Sequence, residues 1–371
     1  MMKTFFSLLI AFFLILPYGN GFCKEPYPPL NISTNYAVVM DAGSGRIVYE
    51  KNASKIVPMA STTKIMTCIL AIENCSLDEI VTVSKAASSI HGSTIGLRYG
   101  EELTMEEMLY GLMLRSGNDC AVAIAEHISG SVEAFSSLMN AKAFSIGAFN
   151  THFSSPHGLD SNDHFTTSRD LALITRYAFK YDTFSKIVST KTITFDHDKY
   201  KRTFSNTNRL LWSIQGADGV KTGYTGKAGR CLVSSASLNN NRFICVLLNS
   251  PNRWEDSKKL LNYALNNYTE KIEIDPEKLK SKIEVINGQK KKVEVGFKEK
   301  ISIPLTPSEK ESLSIRLMVP SSVTAPVYEG EQLGSLLLYC NDKIIYSVPY
   351  TALYGSKVSA SKTLLDKILG R

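Results

Sequence analysis

Ser61-Thr62-Thr63-Lys64, Ser116-Gly117-Asn118 and Lys221-Thr222-Gly223 follow one another along the chain. That ordered triple constrains the fold more than any other feature. Read together, the motifs describe a serine acyl-transfer site, which works only if an early helix start, a middle loop and a late strand face one another. Each motif alone is weak. A second S-x-x-K runs from Ser359 to Lys362, and S-x-N recurs at Ser33 to Asn35 and at Ser237 to Asn239. Separately, Ser61 reads as a helix cap, Ser116 to Asn118 as a loop and Lys221 to Gly223 as a strand entering a turn. The order is what carries the signal.

Periodicity supplies a frame for the triple. The run Ala37-Val38-Val39-Met40-Asp41, then Gly43-Ser44-Gly45, then Arg46-Ile47-Val48-Tyr49-Glu50 reads as a β-hairpin around a glycine turn. Ile65, Ile69 and Ile72 share one helical face between about Thr62 and Asn74, so Ser61 is expected at a helix start as its capping residue. Helical spacing also marks 104–114, 119–128, 132–144 and 168–179, a run without strands that reads as an inserted helical subdomain. Strand patterns return at 219–222, 230–237 and 242–249 ahead of a helix from about Glu255 to Tyr268, predicting an antiparallel sheet closed by a late helix. From about Ile272 to Leu353, short alternating stretches around an Asn287-Gly288 turn predict a separate small β domain. The basic run Lys290-Lys291-Lys292 beside that turn reads as a solvated edge that blocks strand pairing.

The termini bear on compartment. Met1-Met2-Lys3, the apolar run from Phe5 to Leu16 and the small residues Gly19 and Gly21 form a secretory signal peptide over about 1–21. The apolar run is shorter than the ~20 residues that span a bilayer. An exported, extracytoplasmic protein is expected, and its formal charge of +7 suits an anionic surface such as cell wall or membrane. Nucleic acid is disfavoured as a partner, because no basic helix or interleaved aromatic stripe occurs. Cys68, Cys75, Cys120, Cys231, Cys245 and Cys340 scatter without the spacing of a disulfide scaffold and read as small hydrophobes. The tail at 356–371 places Val358, Leu364, Leu365, Ile368 and Leu369 beside Lys357, Lys362, Lys367 and Arg371. It suits peripheral contact with a membrane surface, or an ordinary terminal helix.

The chemistry of the motifs follows from their residue types. A hydroxyl is a weak nucleophile, so Ser61 needs a base, and Lys64 lies on the same helix face at i+3. A free lysine keeps its proton to pH ~10.4, but burial, the helix N-terminus and a second cation such as Lys221 favour the neutral amine. Ser116 can relay a proton to the departing amine, while Asn118 can hold Lys64 and donate to the substrate backbone. Lys221 and Thr222 can bind a terminal carboxylate, and Gly223 lets an extended peptide approach the strand. The backbone N–H groups of Ser61 and Tyr224 suit an oxyanion if the strand faces the helix start. That set favours a peptidase acting at a free carboxyl end and calls for no cofactor or metal.

At these residues the chain resembles the D-alanyl-D-alanine carboxypeptidases, the low-molecular-mass penicillin-binding proteins. The likeness extends to Pro58-Met59-Ala60-Ser61, Met113-Leu114-Arg115-Ser116, Pro156-His157-Gly158-Leu159-Asp160 and Asp218-Gly219-Val220-Lys221-Thr222-Gly223-Tyr224-Thr225, over about 31–355. The resemblance implies an α+β fold: a serine β-lactamase/transpeptidase-like domain at 31–270, an antiparallel sheet with helices plus a helical subdomain, followed by a β-rich domain at 272–355. It implies removal of the terminal D-alanine from peptidoglycan stem pentapeptides through an acyl-serine, and trapping of that serine by penicillins and other β-lactam antibiotics. It further suggests that an arginine shortly after the last sheet strand helps to bind the carboxylate, for which Arg253 is the nearest match.

Three other readings compete. A β-lactamase would need a fast deacylation device, in class A a glutamate acting through water, and no glutamate lies between Glu133 and Glu255. A zinc D,D-peptidase is prompted by His152, His157, Asp160 and His164, but no H-E-x-x-H is present and Pro156 with Gly158 indicates a loop. A penicillin-binding module that acylates without turnover would carry the same residues.

Overall fold

The computed structural model describes residues 30–197 and 200–359. The signal peptide expected at 1–21, Cys23 and residues 360–371 of the expected tail lie outside the described residues. β1 (Tyr36–Asp41) and β2 (Ile47–Lys51) form the expected hairpin. A 3-10 turn (Ala60–Thr63) then runs directly into α1 (Lys64–Asn74). A ribbon of β3 (Ile80–Thr82) and β4 (Glu102–Thr104) brackets the short α2 (Lys85–Ser89). There follow α3 (Met105–Leu114), α4 (Asn118–Ser129), α5 (Val132–Ile146), α6 (Ser168–Ala178) and α7 (Asp182–Ser189). α3 begins at a capping box, in which Thr104 accepts from the Glu107 N–H and Glu107 returns a carboxylate to the Thr104 N–H. The hairpin of β5 (Thr192–His197) and β6 (Tyr200–Ser205) is not among the elements expected from the sequence. Phe195 from that hairpin packs on Tyr110, their ring centroids 5.6 Å apart.

β7 (Ala217–Thr225), β8 (Gly229–Leu238) and β9 (Asn241–Leu248) complete a five-stranded antiparallel sheet in the order β2-β1-β9-β8-β7, and α8 (Arg253–Asn267) follows. The earliest strand thus pairs with the latest, and the helical run is an excursion between β2 and β7. Alternation decides what each face buries. Val38, Met40, Val233, Ile244 and Val246 pack into the core shared with the helical layer. Their neighbours Ala37, Val39, Leu232, Phe243 and Leu247 pack against Leu260, Leu261 and Ala264 of α8. A sheet covered on both faces accounts for the nearly unbroken apolar runs of its central strands.

Beyond α8, β10 (Glu270–Ile274) precedes β11 (Ser281–Ile286), β12 (Lys292–Gly296) and β13 (Ile301–Leu305). After α9 (Pro307–Glu311) come β14 (Leu313–Met318), β15 (Ser322–Thr324), β16 (Gln332–Cys340) and β17 (Lys343–Ala352). β10 pairs with β13, and the others form a six-stranded sheet, β14-β16-β17-β12-β11-β15, over its own core around Ile283, Val293, Val295, Leu338 and Tyr350. Lys290 and Lys291 sit in the turn between β11 and β12 and Lys292 opens β12, which has partners on both sides and is not a sheet edge. That corrects the edge reading. The two β-rich units meet where Arg46 binds Glu309 and the Tyr346 hydroxyl donates to the Ser44 carbonyl at 2.6 Å.

Candidate active site

The three motifs converge at the edge of the five-stranded sheet. Ala60 takes a left-handed φ of 51° and opens the 3-10 turn, two residues before the helix start expected at about Thr62. Ser61 therefore sits inside the turn, half-buried, and its side chain caps no helix. This corrects the expectation of Ser61 as a cap and leaves its Oγ available. The Thr62 and Thr63 hydroxyls bind back to the Met59 and Ala60 carbonyls at 2.6 and 2.7 Å, and Thr63 also meets His164 Nε2 at 2.6 Å. The turn that presents Ser61 is pinned from below.

Lys64, first residue of α1, is completely buried. Its Nζ lies 3.1 Å from Ser61 Oγ, 2.7 Å from Asn118 Oδ1 and 2.8 Å from the His157 carbonyl. Burial first and the Lys221 cation second push its amine well below the ordinary lysine range. Asn118 opens α4, and its Nδ2 donates to the His91 carbonyl at 2.7 Å, which fixes the amide oxygen toward Lys64. One amide N–H stays free of that bond. Asp119, next in the chain, accepts from the backbone N–H groups of Ile95, Gly96 and Leu97 and so fastens the neighbouring loop. Ser116 adopts a left-handed φ of 64°, and its Oγ is buried without a hydrogen-bond partner among the described residues.

Lys221 on β7 is 1% exposed and donates to the Thr222 carbonyl at 3.0 Å. Burial, with help from the Arg253 charge, lowers it to about 7. The Thr222 and Thr207 hydroxyls meet at 2.9 Å. A Cβ on Gly223 would stand 3.1 Å from the Ser61 nitrogen, so this edge strand does face the turn, and a side chain here would crowd it. Tyr224 follows, two-thirds exposed. Arg253 lies at the start of α8 and donates to the Gly223 and Cys231 carbonyls at 2.7 and 3.0 Å, gripping the end of the motif from behind.

The residues that prompted a zinc reading each have other partners. His164 joins Thr63 and the Ser154 N–H, His152 the Asp163 carbonyl, and Asp160 the Thr225 hydroxyl and the Lys227 N–H. Burial and the Lys64 charge lower His157 to about 3, so it is neutral, and its Nδ1 accepts from the Leu159 N–H. What sequence reasoning missed is the His157 carbonyl beside Lys64. A backbone acceptor has no side-chain signature, and only the Pro156-His157-Gly158 turn marks the place.

Comparison with known proteins finds clear relatives of the whole chain. Residues 23–252 match the family model described as D-alanyl-D-alanine carboxypeptidase, and residues 269–356 match the model of the penicillin-binding protein 5 C-terminal domain. The chain is 33% identical to the D-alanyl-D-alanine carboxypeptidase DacF of Bacillus subtilis, over 100% of this chain and 98% of that protein. Among solved structures it resembles penicillin-binding protein 5 of Haemophilus influenzae with a TM-score of 0.73 at 30% identity, covering 89% of this chain and 99% of the other. It also resembles the Streptomyces K15 DD-transpeptidase with a TM-score of 0.61 at 35% identity, covering 65% and 99%.

Gly158 gives a direct test of how the turn is held. Its φ is +86°, and a Cβ there would lie 2.1 Å from the Ala60 carbonyl oxygen. Gly158→Ala must therefore displace the turn carrying Ser61. Misplacing a reacting group by about 1 Å costs on the order of 100-fold. The variant should retain its far-UV circular dichroism yet be modified at Ser61 about that much more slowly by a serine-directed acylating agent. An unchanged rate would show that Gly158 does not position the turn.

Proposed function

The chain belongs to the D-alanyl-D-alanine carboxypeptidase family, and on that premise we propose how its residues remove the terminal D-alanine from peptidoglycan stem peptides. It is a serine-type D-Ala-D-Ala carboxypeptidase, and its penicillin-binding homology makes β-lactams its inhibitors. The observation that carries the assignment of residues is the surroundings of Lys64 Nζ. A neutral amine has two N–H bonds and one lone pair. The Asn118 and His157 carbonyl oxygens, which can only accept, take both N–H bonds, and the lone pair is left for the Ser61 hydroxyl at 3.1 Å.

In acylation, Ser61 Oγ attacks the carbonyl carbon of the penultimate D-alanine as its proton passes to Lys64. The backbone N–H groups of Ser61 and Tyr224 donate to the oxyanion. As the C–N bond breaks, Lys64 returns the proton to the leaving nitrogen through Ser116, whose Oγ, without a partner among the described residues, can accept and donate. Asn118 orients Lys64 and offers its remaining N–H to the substrate backbone. Lys221 and Thr222 bind the terminal carboxylate, with Arg253 holding the strand and adding positive charge. Water then attacks the acyl-serine with Lys64 again as base, releasing the shortened peptide and restoring Ser61. A β-lactam enters the same step, but its leaving nitrogen stays tethered to the acyl group. The residues that prompted a zinc peptidase are bonded to other protein groups, and the sequence offers no glutamate between Glu133 and Glu255 for the deacylation device of a class A β-lactamase.

We assign the unit at 31–270 to catalysis, place the enzyme outside the cytoplasm, and assign 272–355 as a supporting β domain. Residues 356–371 are proposed to bring it to the membrane surface. The root of that tail is fixed to the β domain: Ser356 and Val327 exchange backbone bonds, and the Lys357 carbonyl and Ser359 N–H bind Gln289 and Asn287. The anchor proper therefore starts beyond Ser359.

Purified mature protein should release D-alanine from a diacyl-Lys-D-Ala-D-Ala peptide over many turnovers, and Ser61→Ala should abolish release. Covalent penicillin binding without release would leave a binding module, and release in the variant would remove Ser61 from its role. The pH profile follows from the two lysines. Lys64 must be neutral, so kcat/KM rises as pH climbs through its lowered value. Lys221 must be charged to hold a carboxylate, so kcat/KM falls as pH climbs through about 7. Lys221→Arg stays charged throughout, and the alkaline fall should disappear; a fall that survives would belong to another group. Deleting 360–371 should weaken binding to vesicles containing anionic lipid at unchanged peptidase activity, and unaltered binding would refute the anchor.

A further inference from the structure

Far from the motif residues, Cys75, Glu79 and His127 converge. Cys75 is the residue that caps the end of α1, Glu79 lies in the loop leading to β3, and His127 stands in the last turn of α4. One ligand atom from each lies within 4.8 Å of the other two. His127 Nε2 sits 2.7 Å from Glu79 Oε1. The loop is held by its backbone, since the Glu79 N–H donates to the Ser76 carbonyl and the Glu79 carbonyl accepts from Met105. Glu79 is thus presented at a fixed point between the two helix ends. His127 and Glu79 are accessible enough for an ion to enter, and Cys75 is partly buried beside them.

From this convergence we propose that Cys75, Glu79 and His127 form a binding site for a divalent transition-metal ion of the zinc class. A thiolate, an imidazole and a carboxylate make a mixed sulfur, nitrogen and oxygen donor set. Magnesium and calcium, which take oxygen ligands, do not fit it. Three protein ligands leave a fourth tetrahedral position for water. In the metal-free protein, burial and the Glu79 charge push the Cys75 thiol up to about 11, so binding sends the thiol proton to solvent as the sulfur–metal bond forms.

The consequence is mechanical. α1 carries Lys64 at its first residue and α4 carries Asn118 at its first residue. Cys75 follows Lys64 by 11 positions on α1 and His127 follows Asn118 by 9 on α4, so at ~1.5 Å rise per residue both helices put the proposed site roughly 14–17 Å from those residues. A bound ion takes no part in acyl transfer. It clamps the distal ends of the two helices whose proximal ends hold the Lys64 to Asn118 hydrogen bond.

The test is zinc titration of chelator-stripped mature protein against a competing chromophoric chelator, with Cys75→Ser and His127→Gln beside the parent. Both changes are conservative in size, and circular dichroism checks folding. One zinc ion per chain is expected. Each variant should lose more than the ~100-fold affinity that removal of an outer-shell partner costs, and zinc should raise the melting temperature of the parent alone. Cobalt in the parent should give a thiolate charge-transfer band that Cys75→Ser abolishes. Absence of stoichiometric binding, or equal affinity in folded variants, overturns the site. Peptidase activity is not the readout, so failure here leaves the assignment of Ser61 untouched.

Discussion

Lys64 is enclosed by protein, and its amine is held by one hydroxyl and two carbonyl oxygens rather than by a carboxylate. An ammonium in that position would be poorly compensated, and a second lysine, Lys221, adds repulsion. The neutral amine is the form the surroundings accommodate. Much of the molecule can be read as the means of keeping those acceptors in place. Asn118 is aimed by the His91 carbonyl, and Gly158, beside the His157 acceptor, is pressed against the turn that carries Ser61. Asp119 secures the loop at Ile95 to Leu97 by accepting its backbone N–H groups.

Bringing the acceptors and the second cation together is a problem of topology. β1 pairs with β9, and the helical excursion between β2 and β7 returns the chain to the sheet edge at β7. An edge strand offers unpaired backbone groups, a liability in most proteins and here the seat proposed for an extended peptide. The 3-10 turn lies against that strand at Gly223, where any side chain would close the gap. On the other side, Arg253 reaches from α8 to the Gly223 and Cys231 carbonyls, so the helix that covers the far face of the sheet also braces β7.

What could be read from the chain divides along the range of the interactions. While β7 runs three residues past its expected end, helices with strong periodicity, such as α1 with Ile65, Ile69 and Ile72, and the late helix α8 appear within a residue or two of their expected bounds. So do Lys64, Asn118, Lys221 and Gly223 as members of one site. The rest is set by contacts that local pattern does not encode. Ser61 falls inside a turn that opens at a left-handed Ala60, the His157 contribution is a backbone oxygen, and Lys290 to Lys292 lead into an interior strand because β12 finds β17 much later in sequence. The hairpin at Thr192 to Ser205 was legible in principle from the alternation of Ile193 and Phe195; its partner Tyr110 was not. The same holds for Cys75, Glu79 and His127, which only the packing of α4 on α1 makes neighbours.

The proposed roles of Lys221 and Lys64 are linked through charge. With the cleft empty, the Lys221 cation is one of the causes that hold Lys64 neutral. A substrate carboxylate seated on Lys221 cancels much of that field, so Lys64 becomes a stronger base at the step where Ser61 must lose its proton. Once D-alanine leaves, carrying its carboxylate away, the Lys221 field returns and disfavours a proton remaining on Lys64. The amine is then neutral again as water approaches the acyl-serine. A substrate without a terminal carboxylate would leave the field unchanged throughout, so discrimination against it acts on the chemical step as well as on binding.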